Sequence, residues 1–349
     1  MGAGARMISV VQFCIDDAAS SGVNCFCREL NRELNAVGGV RSRIVRSMAG
    51  LEPVEPSGMV LHVHGLWLSP QRQAAAWARG KGVPVVWSTH GMTAPWAMRC
   101  KGWKKWPAWW LYQKRNLARA AVLHCTTELE RTWNARLLGR SCPPIVLAPL
   151  GTHLPTEPIR QAEDDSRRGE LSVLFVGRIH PVKGLVSLVR AAALLPSDDS
   201  LECSVRFRIV GPDEAGHLAE LKALCGDSSL FSFPGEKHGA ELAAEYAGCD
   251  VLVLPSFTEN FGGVVIDALA HGKPVIASRA TPWKCLEDER IGWWVDNSPE
   301  CLAKTIAEVA ALPREKLREM GERGRKFVSE NYTWKAVART MAECYGKLV

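Results

Sequence analysis

A chain of 349 residues exceeds what one hydrophobic core usually serves, roughly 250–300 residues, so two domains are expected. Its 47% hydrophobic and 23% charged residues exclude a disordered, collagen-like or coiled-coil chain, and no apolar run nears the roughly 20 residues that span a bilayer. The net charge of +6 is uneven: residues 1–155 hold 19 Lys/Arg against 8 Asp/Glu, and residues 156–349 hold 24 against 29, so the two halves should meet different partners.

The N-terminus carries Arg6, a short apolar run Ile8–Ile15, then Asp16 and Asp17. That pattern suits neither a signal peptide nor an anchor, and the run reads as a first buried strand. Asn24 to Ala36 has helical spacing, with Phe26, Leu30 and Leu34 four apart. Strands follow at Ser42–Val45, Met59–Val63, Val83–Ser88, Ala121–Cys125 and Ile145–Ala148, with helical stretches between several of them. Residues 156–170 are polar, charged and aperiodic, and read as a linker between domains at 1–155 and 171–333.

The alternation then restarts. Strands are expected at Ser172–Val176, Val205–Val210, Phe231–Phe233, Val251–Leu254 and Pro274–Ala277. Helices are expected at Val182–Leu195, Ala215–Cys225, Gly239–Ala247 and Gly262–His271, and from Pro299 onward. Two doubly wound α/β domains account for this pattern, with ligands beyond the carboxyl ends of the strands and a cleft between domains as the default site. The twelve cysteines form no disulfide framework and no metal-ligand spacing, which fits reduced, mostly buried thiols in the cytoplasm.

Two loops carry candidate chemistry. Gly177-Arg178-Ile-His180-Pro-Val-Lys183-Gly184 follows a buried strand and opens a helix. Its two cations suit a diphosphate beside a helix N-terminus, or are simply solvated loop residues. Glu259-Asn260-Phe261-Gly262-Gly263 also follows a strand, and Asp267 lies eight positions after Glu259. Two carboxylates facing one crevice can move protons or accept from hydroxyls; the plainer reading is a helix cap and a solvated face. His62-x-His64 puts two imidazoles on one strand face, but no third ligand for a metal is evident.

GRIHPVKG at 177–184 together with ENFGGVVIDALAHGKPVIAS at 259–278 resembles the donor domain of the family-4 retaining glycosyltransferases. HVHGLW at 62–67, THGM at 89–92, HCTTELE at 124–130 and the ending around Tyr332-Thr-Trp334 resemble bacterial polysaccharide-assembly members. The resemblance covers essentially the whole chain. It implies the GT-B fold, two Rossmann-like domains facing across a cleft, with residues 334–349 as a helix crossing back to the N-terminal domain. The family's E-x(7)-E stands here as Glu259 to Asp267, one methylene short at the second acid.

The resemblance implies that His90, Arg178, Lys183 and Glu259 serve the transfer step. The donor would be held by Gly22, Arg178, Lys183, Glu259, Asn260, Phe261, Gly262, Gly263 and Asp267. Arg178 and Lys183 would take the diphosphate and Asp267 the ribose. Glu259 and His90 would face the sugar. The implied substrates are a UDP- or GDP-sugar and a hydroxyl acceptor, a lipid-linked glycan among the candidates, with neither metal nor cofactor. Two alternatives remain at this stage: a sugar-nucleotide epimerase of the same architecture, and a non-catalytic nucleotide-sugar binding protein.

Trp96–Arg119 holds seven Lys/Arg, five Trp and no acid. Such interleaving suits an anionic membrane face, single-stranded nucleic acid, or a helix packing its indoles inward. With the glycosyltransferase resemblance, the membrane is the expected partner and nucleic acid is not, which places a cytoplasmic protein peripherally on the inner face of the cell membrane.

Overall fold

The computed structural model describes residues 7–17, 22–51, 57–155, 169–195, 204–214, 216–226 and 228–349. It divides into two compact units, residues 1–151 with 334–349, and residues 152–333. In chain order the first unit contains β1 (Ile8–Phe13), α1 (Gly22–Ala36), β2 (Val40–Val45), β3 (Met59–His64), α2 (Ser69–Gly80) and β4 (Val85–Ser88). It continues through α3 (Pro95–Arg99), α4 (Gly102–Ala108), α5 (Lys114–Ala118), β5 (Val122–Cys125), α6 (Glu128–Leu138) and β6 (Ile145–Leu147).

The second unit contains β7 (Glu170–Val176), α7 (Leu185–Ala193), β8 (Ser204–Val210), α8 (His217–Cys225), β9 (Phe231–Gly235) and α9 (Gly239–Gly248). Then come β10 (Val251–Leu254), α10 (Gly263–Ala270), β11 (Val275–Ser278), α11 (Cys285–Asp288), β12 (Gly292–Val295), α12 (Pro299–Ala310) and α13 (Arg314–Asn331). The last helix, α14 (Trp334–Gly346), belongs to the first unit.

The first sheet runs β2-β1-β3-β4-β5-β6, and every pairing in it is parallel. Side chains alternate across it. Val11, Leu61, Val85 and Trp87 pack with Ala74, Ala75 and Ala78 of α2 on one face. Val10, Val60 and Val86 pack with Phe26, Leu30 and Leu34 of α1 and with Trp334, Val337, Met341 and Tyr345 of α14 on the other. A Cβ on Gly151 would lie 2.6 Å from the Trp334 Cα, so glycine is what lets the chain approach the start of α14.

The second sheet runs β12-β11-β10-β7-β8-β9 and is again parallel throughout. Strand order reverses between β1 and β3 in the first sheet and between β7 and β10 in the second. In open α/β sheets the crevice at such a reversal, beyond the carboxyl ends, is where ligands bind.

The structure corrects several expectations. Glu170 opens β7 and pairs with Ser204, so it is not linker; residues 156–168 of the expected linker lie outside the described residues. The helix expected from Val182 starts at Leu185, after a 3-10 turn at Pro181–Lys183. The His180 ring caps that turn, Nδ1 accepting from Val182 N at 3.1 Å, and Gly184 ends it in the left-handed region. The helix expected from Gly262 starts at Gly263, because Gly262 adopts φ +80°. β12 was not anticipated: its Gly-Trp-Trp-Val is too short to show a period.

Candidate functional site

In the second unit, the loops after β7 and β10 meet at the strand reversal. Phe257 N donates to Val182 O at 2.9 Å, tying one loop to the other. Gly184 makes this approach possible: at φ +70° a Cβ would stand 2.0 Å from the Pro255 carbonyl oxygen. The result brings Lys183 and Glu259 together, Lys183 Nζ donating to Glu259 Oε1. Ser256 Oγ donates to the same oxygen at 2.9 Å. The two charged side chains are 16% and 12% exposed, a degree of desolvation at which an ion pair holds more firmly than at the surface.

Arg178 does not join that pair. Its Nη1 donates to Glu214 Oε2 at 2.6 Å in an exposed pairing, which contributes little to stability. Phe261 is buried; its carbonyl accepts from Trp283 Nε1, and its ring stands edge-on to Trp283 with centroids 5.2 Å apart. Gly262 and Gly263 place no side chain between this loop and the first turn of α10, where the Gly263 and Val264 N–H groups precede the first bond of the turn, Val265 N to Gly262 O at 3.0 Å. Asn260 is half-buried beside them.

Asp267 projects from α10 and accepts from Thr152 Oγ1 at 2.6 Å. Burial pushes its carboxyl up to about 6, against the lowering pull of Thr152 and His153. Neither plain reading of the two acids holds. Glu259 does not cap α10, since Gly262 is the N-cap and Glu259 engages Lys183, and Asp267 is not on a solvated face.

The first unit holds a second cluster at the carboxyl ends of β1, β3, β4 and β5. His90 follows β4 with φ +48° and Gly91 with φ +72°. Glu130, fully buried, secures this turn from both sides. Its Oε1 accepts from Thr89 Oγ1 and from Gly91 N, each at 2.6 Å. Its Oε2 accepts from Thr126 N at 2.8 Å and Thr126 Oγ1 at 3.0 Å.

The His90 ring lies edge-on to Phe26, centroids 5.3 Å apart, and its Nε2 is 3.0 Å from His64 Nδ1. His64 Nε2 meets Gln12 Oε1 at 2.6 Å. Behind it, His62 bonds Tyr345 at 2.7 Å and Ser88 at 2.6 Å. Ser88 also bonds His124 Nδ1 at 2.6 Å, and His124 Nε2 reaches Ala148 O at 2.8 Å. Both nitrogens of His62 and of His64 are thus taken by hydrogen bonds, which leaves the His-x-His pair no lone pair for a metal. Burial lowers all four imidazoles, His90 to about 4, so these rings are neutral at pH 7.

Gly22 opens α1, and a Cβ there would meet nothing within 4 Å. The helical run after α3 exposes Trp103 (76%), Trp110 (67%) and Leu111 (79%), while Trp109 is buried at 1%. Lys104 and Lys114 sit over the Trp103 and Trp110 rings at 4.7 and 4.8 Å. The run widens to a π-helix over Trp109–Gln113, just after Pro107, whose missing N–H breaks the α-helical ladder.

Family models match both halves of the chain: "Glycosyl transferase 4-like domain" over residues 24–151 and "Glycosyl transferases group 1" over residues 170–311. A D-inositol 3-phosphate glycosyltransferase of Frankia alni is 32% identical over 322 residues, covering 86% of this chain and 77% of that protein. The chain belongs to the group 1 glycosyltransferases. The same-named protein of Salinispora tropica is 33% identical over 199 residues, 54% of this chain but only 41% of its own length. Several curated relatives are therefore matched over about two-fifths of their length.

Solved structures share the fold. Sucrose-phosphate synthase from Thermosynechococcus elongatus superposes with a TM-score of 0.79 at 22% identity, covering 98% of this chain and 99% of that one. Anabaena HepE, solved with UDP and glucose, gives 0.70 at 16% identity, covering 98% and 100%. This group 1 glycosyltransferase thus has the GT-B architecture of two Rossmann-like domains.

Sequence reasoning singled out His90, Lys183 and Glu259 but not the residues that hold them. Glu130 was the most legible of the missed ones. Thr127-x-x-Glu130 has capping-box spacing, and the box is half formed: Thr127 Oγ1 accepts from Glu130 N at 3.0 Å, while the Glu130 side chain turns inward to Thr89, Gly91 and Thr126. Gln12, Ser88 and Tyr345 carry no local pattern, and only the sheet and α14 bring them together.

Proposed function

We propose that this chain is a retaining glycosyltransferase that moves a sugar from a UDP- or GDP-sugar to a hydroxyl acceptor in cell-surface polysaccharide or lipopolysaccharide assembly. The observation that carries the reading is the Lys183–Glu259 pair at the strand reversal of the second unit. It sets a cation for a leaving diphosphate next to a carboxylate for sugar hydroxyls. The chemistry needs stabilisation of charge growing on that diphosphate. Lys183, Arg178 released from Glu214, and the leading N–H groups of α10 at Gly263 supply it, so the proposal calls for neither metal nor cofactor. Glu259 accepts from the donor sugar, with Asn260, Phe261 and Gly262 shaping the loop around it. Asp267 accepts from the ribose in place of its bond from Thr152. Neutral His90 contacts the sugar, and Gly22 leaves room at the start of α1.

The acceptor is assigned from the first unit. Exposed Trp103, Trp110 and Leu111 beside Lys104 and Lys114 suit an anionic lipid surface. We place the enzyme on the inner face of the cell membrane, with a lipid-linked glycan as acceptor. The names of the relatives favour a second reading, a small phosphorylated acceptor free in solution.

A panel of UDP- and GDP-sugars, assayed for release of free nucleotide with lipid-linked and soluble phosphorylated acceptors, tests this directly. The product's anomeric configuration is read by NMR. Lys183→Ala is expected to lower turnover about 10²–10³-fold, and Glu259→Gln to weaken discrimination among donor sugars. Interconversion of nucleotide-sugars without nucleotide release, or wild-type turnover in Lys183→Ala, would overturn the proposal.

A further inference from the structure

The network behind His90 determines which of its nitrogens carries the proton. The Gln12 Oε1 atom is an acceptor only, so His64 donates to it through Nε2 over 2.6 Å. Neutral His64 then holds its lone pair on Nδ1. His90 must donate to that lone pair through Nε2 over 3.0 Å, which leaves the His90 lone pair on Nδ1.

We propose that His64, anchored by Gln12, is a positioning residue that locks His90 in the Nε2–H tautomer, so that its Nδ1 meets the substrate only as a hydrogen-bond acceptor. The partner this selects is a sugar or acceptor hydroxyl. A carboxylate or phosphate oxygen has no hydrogen to give and is rejected at that point. The inference rests on reading His90 as a substrate contact.

Two features support it. The turn that carries His90 is held through Thr89 and Gly91 by Glu130, so the backbone cannot swing to re-pair the ring. Two titratable groups act on the ring: His124 of β5, which disfavours a second proton, and Glu130 of α6, which favours one. Burial outweighs Glu130 and keeps the ring neutral. His62 and His64 of β3 are likewise neutral and buried.

The test is ¹⁵N-histidine NMR on the full chain between pH 6 and 8, with the His90 signals identified by their loss in His90→Ala. The wild type is expected to show a protonated Nε2 and a bare Nδ1. His64→Asn puts an amide oxygen near the place of Nδ1 and should keep that tautomer. His64→Gln reaches toward Gln12 but removes the acceptor for His90, and should give a tautomer mixture. With UDP-glucose and GDP-mannose as probes, kcat for nucleotide release should fall about tenfold in His64→Gln, with KM little changed and with recovery in His64→Asn. An Nδ1–H tautomer in the wild type, or an unchanged tautomer in His64→Gln, would overturn the positioning role. Unchanged turnover in His90→Ala would instead remove His90 from the substrate, a failure of the underlying reading that the NMR result does not share.

Discussion

At the scale of single residues, Glu130 and Asp267 show how one side chain can serve opposite ends. Glu130 receives four hydrogen bonds with no exposure to water. In Glu130→Gln an NH₂ group replaces one oxygen and faces a Thr hydroxyl, which can turn to accept from it, and a backbone N–H (Gly91 or Thr126), which is left unpaired at about 1–3 kcal/mol. We expect a loss of about 1–3 kcal/mol in urea unfolding; a midpoint within error of wild type would contradict this role. Asp267 works against stability at neutral pH. Burial raises its carboxyl from 3.8 to about 6, so the folded chain holds the proton more tightly than the unfolded chain does. Its contribution is complete below 3.8 and is lost as pH rises through 6. Asp267→Asn cannot ionise and still accepts from Thr152. It should unfold at higher urea than wild type at pH 8, by on the order of 2 kcal/mol, and match it at pH 3.5. A gap of equal size at both pH values would rule out titration as the cause. The donor-binding role proposed for Asp267 further predicts that nucleotide affinity falls in the same variant, since an amide accepts a hydroxyl more weakly than a carboxylate.

At the scale of elements, Gly184 makes the second unit's site possible. With φ +70° and a Cβ position 2.0 Å from the Pro255 oxygen, Gly184→Ala must push apart the loops after β7 and β10 and separate Lys183 from Glu259. Left-handed strain costs roughly 1–2 kcal/mol and overpacking about 1–3. We expect lower stability with weaker nucleotide binding, read by urea unfolding and calorimetry; normal nucleotide affinity would show that the loops need not touch. The same region marks how far the sequence was legible. Buried strands such as Val251–Leu254 announce themselves by unbroken apolar runs, and α1 by Phe26, Leu30 and Leu34. α7 starts later than its apolar pattern suggests because Pro181–Lys183 form a 3-10 turn that Gly184 ends in the left-handed region, and neither feature breaks the spacing of the apolar residues. The site followed the same division. Loop residues flanked by strand and helix signals, such as Lys183 and Glu259, stood out. Residues brought in through the sheet did not: Gln12 sits in a strand that looks merely buried, and Tyr345 lies 283 positions from the His62 that it bonds.

At the scale of the whole molecule, the charge asymmetry and the indole-bearing helix fall in the same unit. Residues 1–155 carry the excess of Lys/Arg, and Trp103, Trp106, Trp110 and Leu111 stand open to solvent within that stretch. Among the described residues no helix is long and apolar enough to cross a membrane, so contact with lipid would be made from the surface. Indoles favour the headgroup layer, and each cation near an anionic bilayer contributes about 1 kcal/mol. Cosedimentation with anionic liposomes should therefore occur at low salt. It should weaken as the Debye length falls from about 10 Å at 0.1 M to about 3 Å at 1 M. Lys105 donates to the Ala97 carbonyl and lies 5.8 Å from the Trp67 ring, so it is left intact. Lys101 and Lys104 are exposed, and their replacement by Glu should abolish the salt-sensitive part. Trp103→Ser with Trp110→Ser should weaken binding at every salt concentration. Nucleotide binding by the second unit should persist in both variants, separating loss of docking from loss of fold. Equal sedimentation with neutral and anionic liposomes, or none with either, would return these indoles to the role of exposed helix residues and leave the acceptor to be sought among soluble phosphorylated compounds.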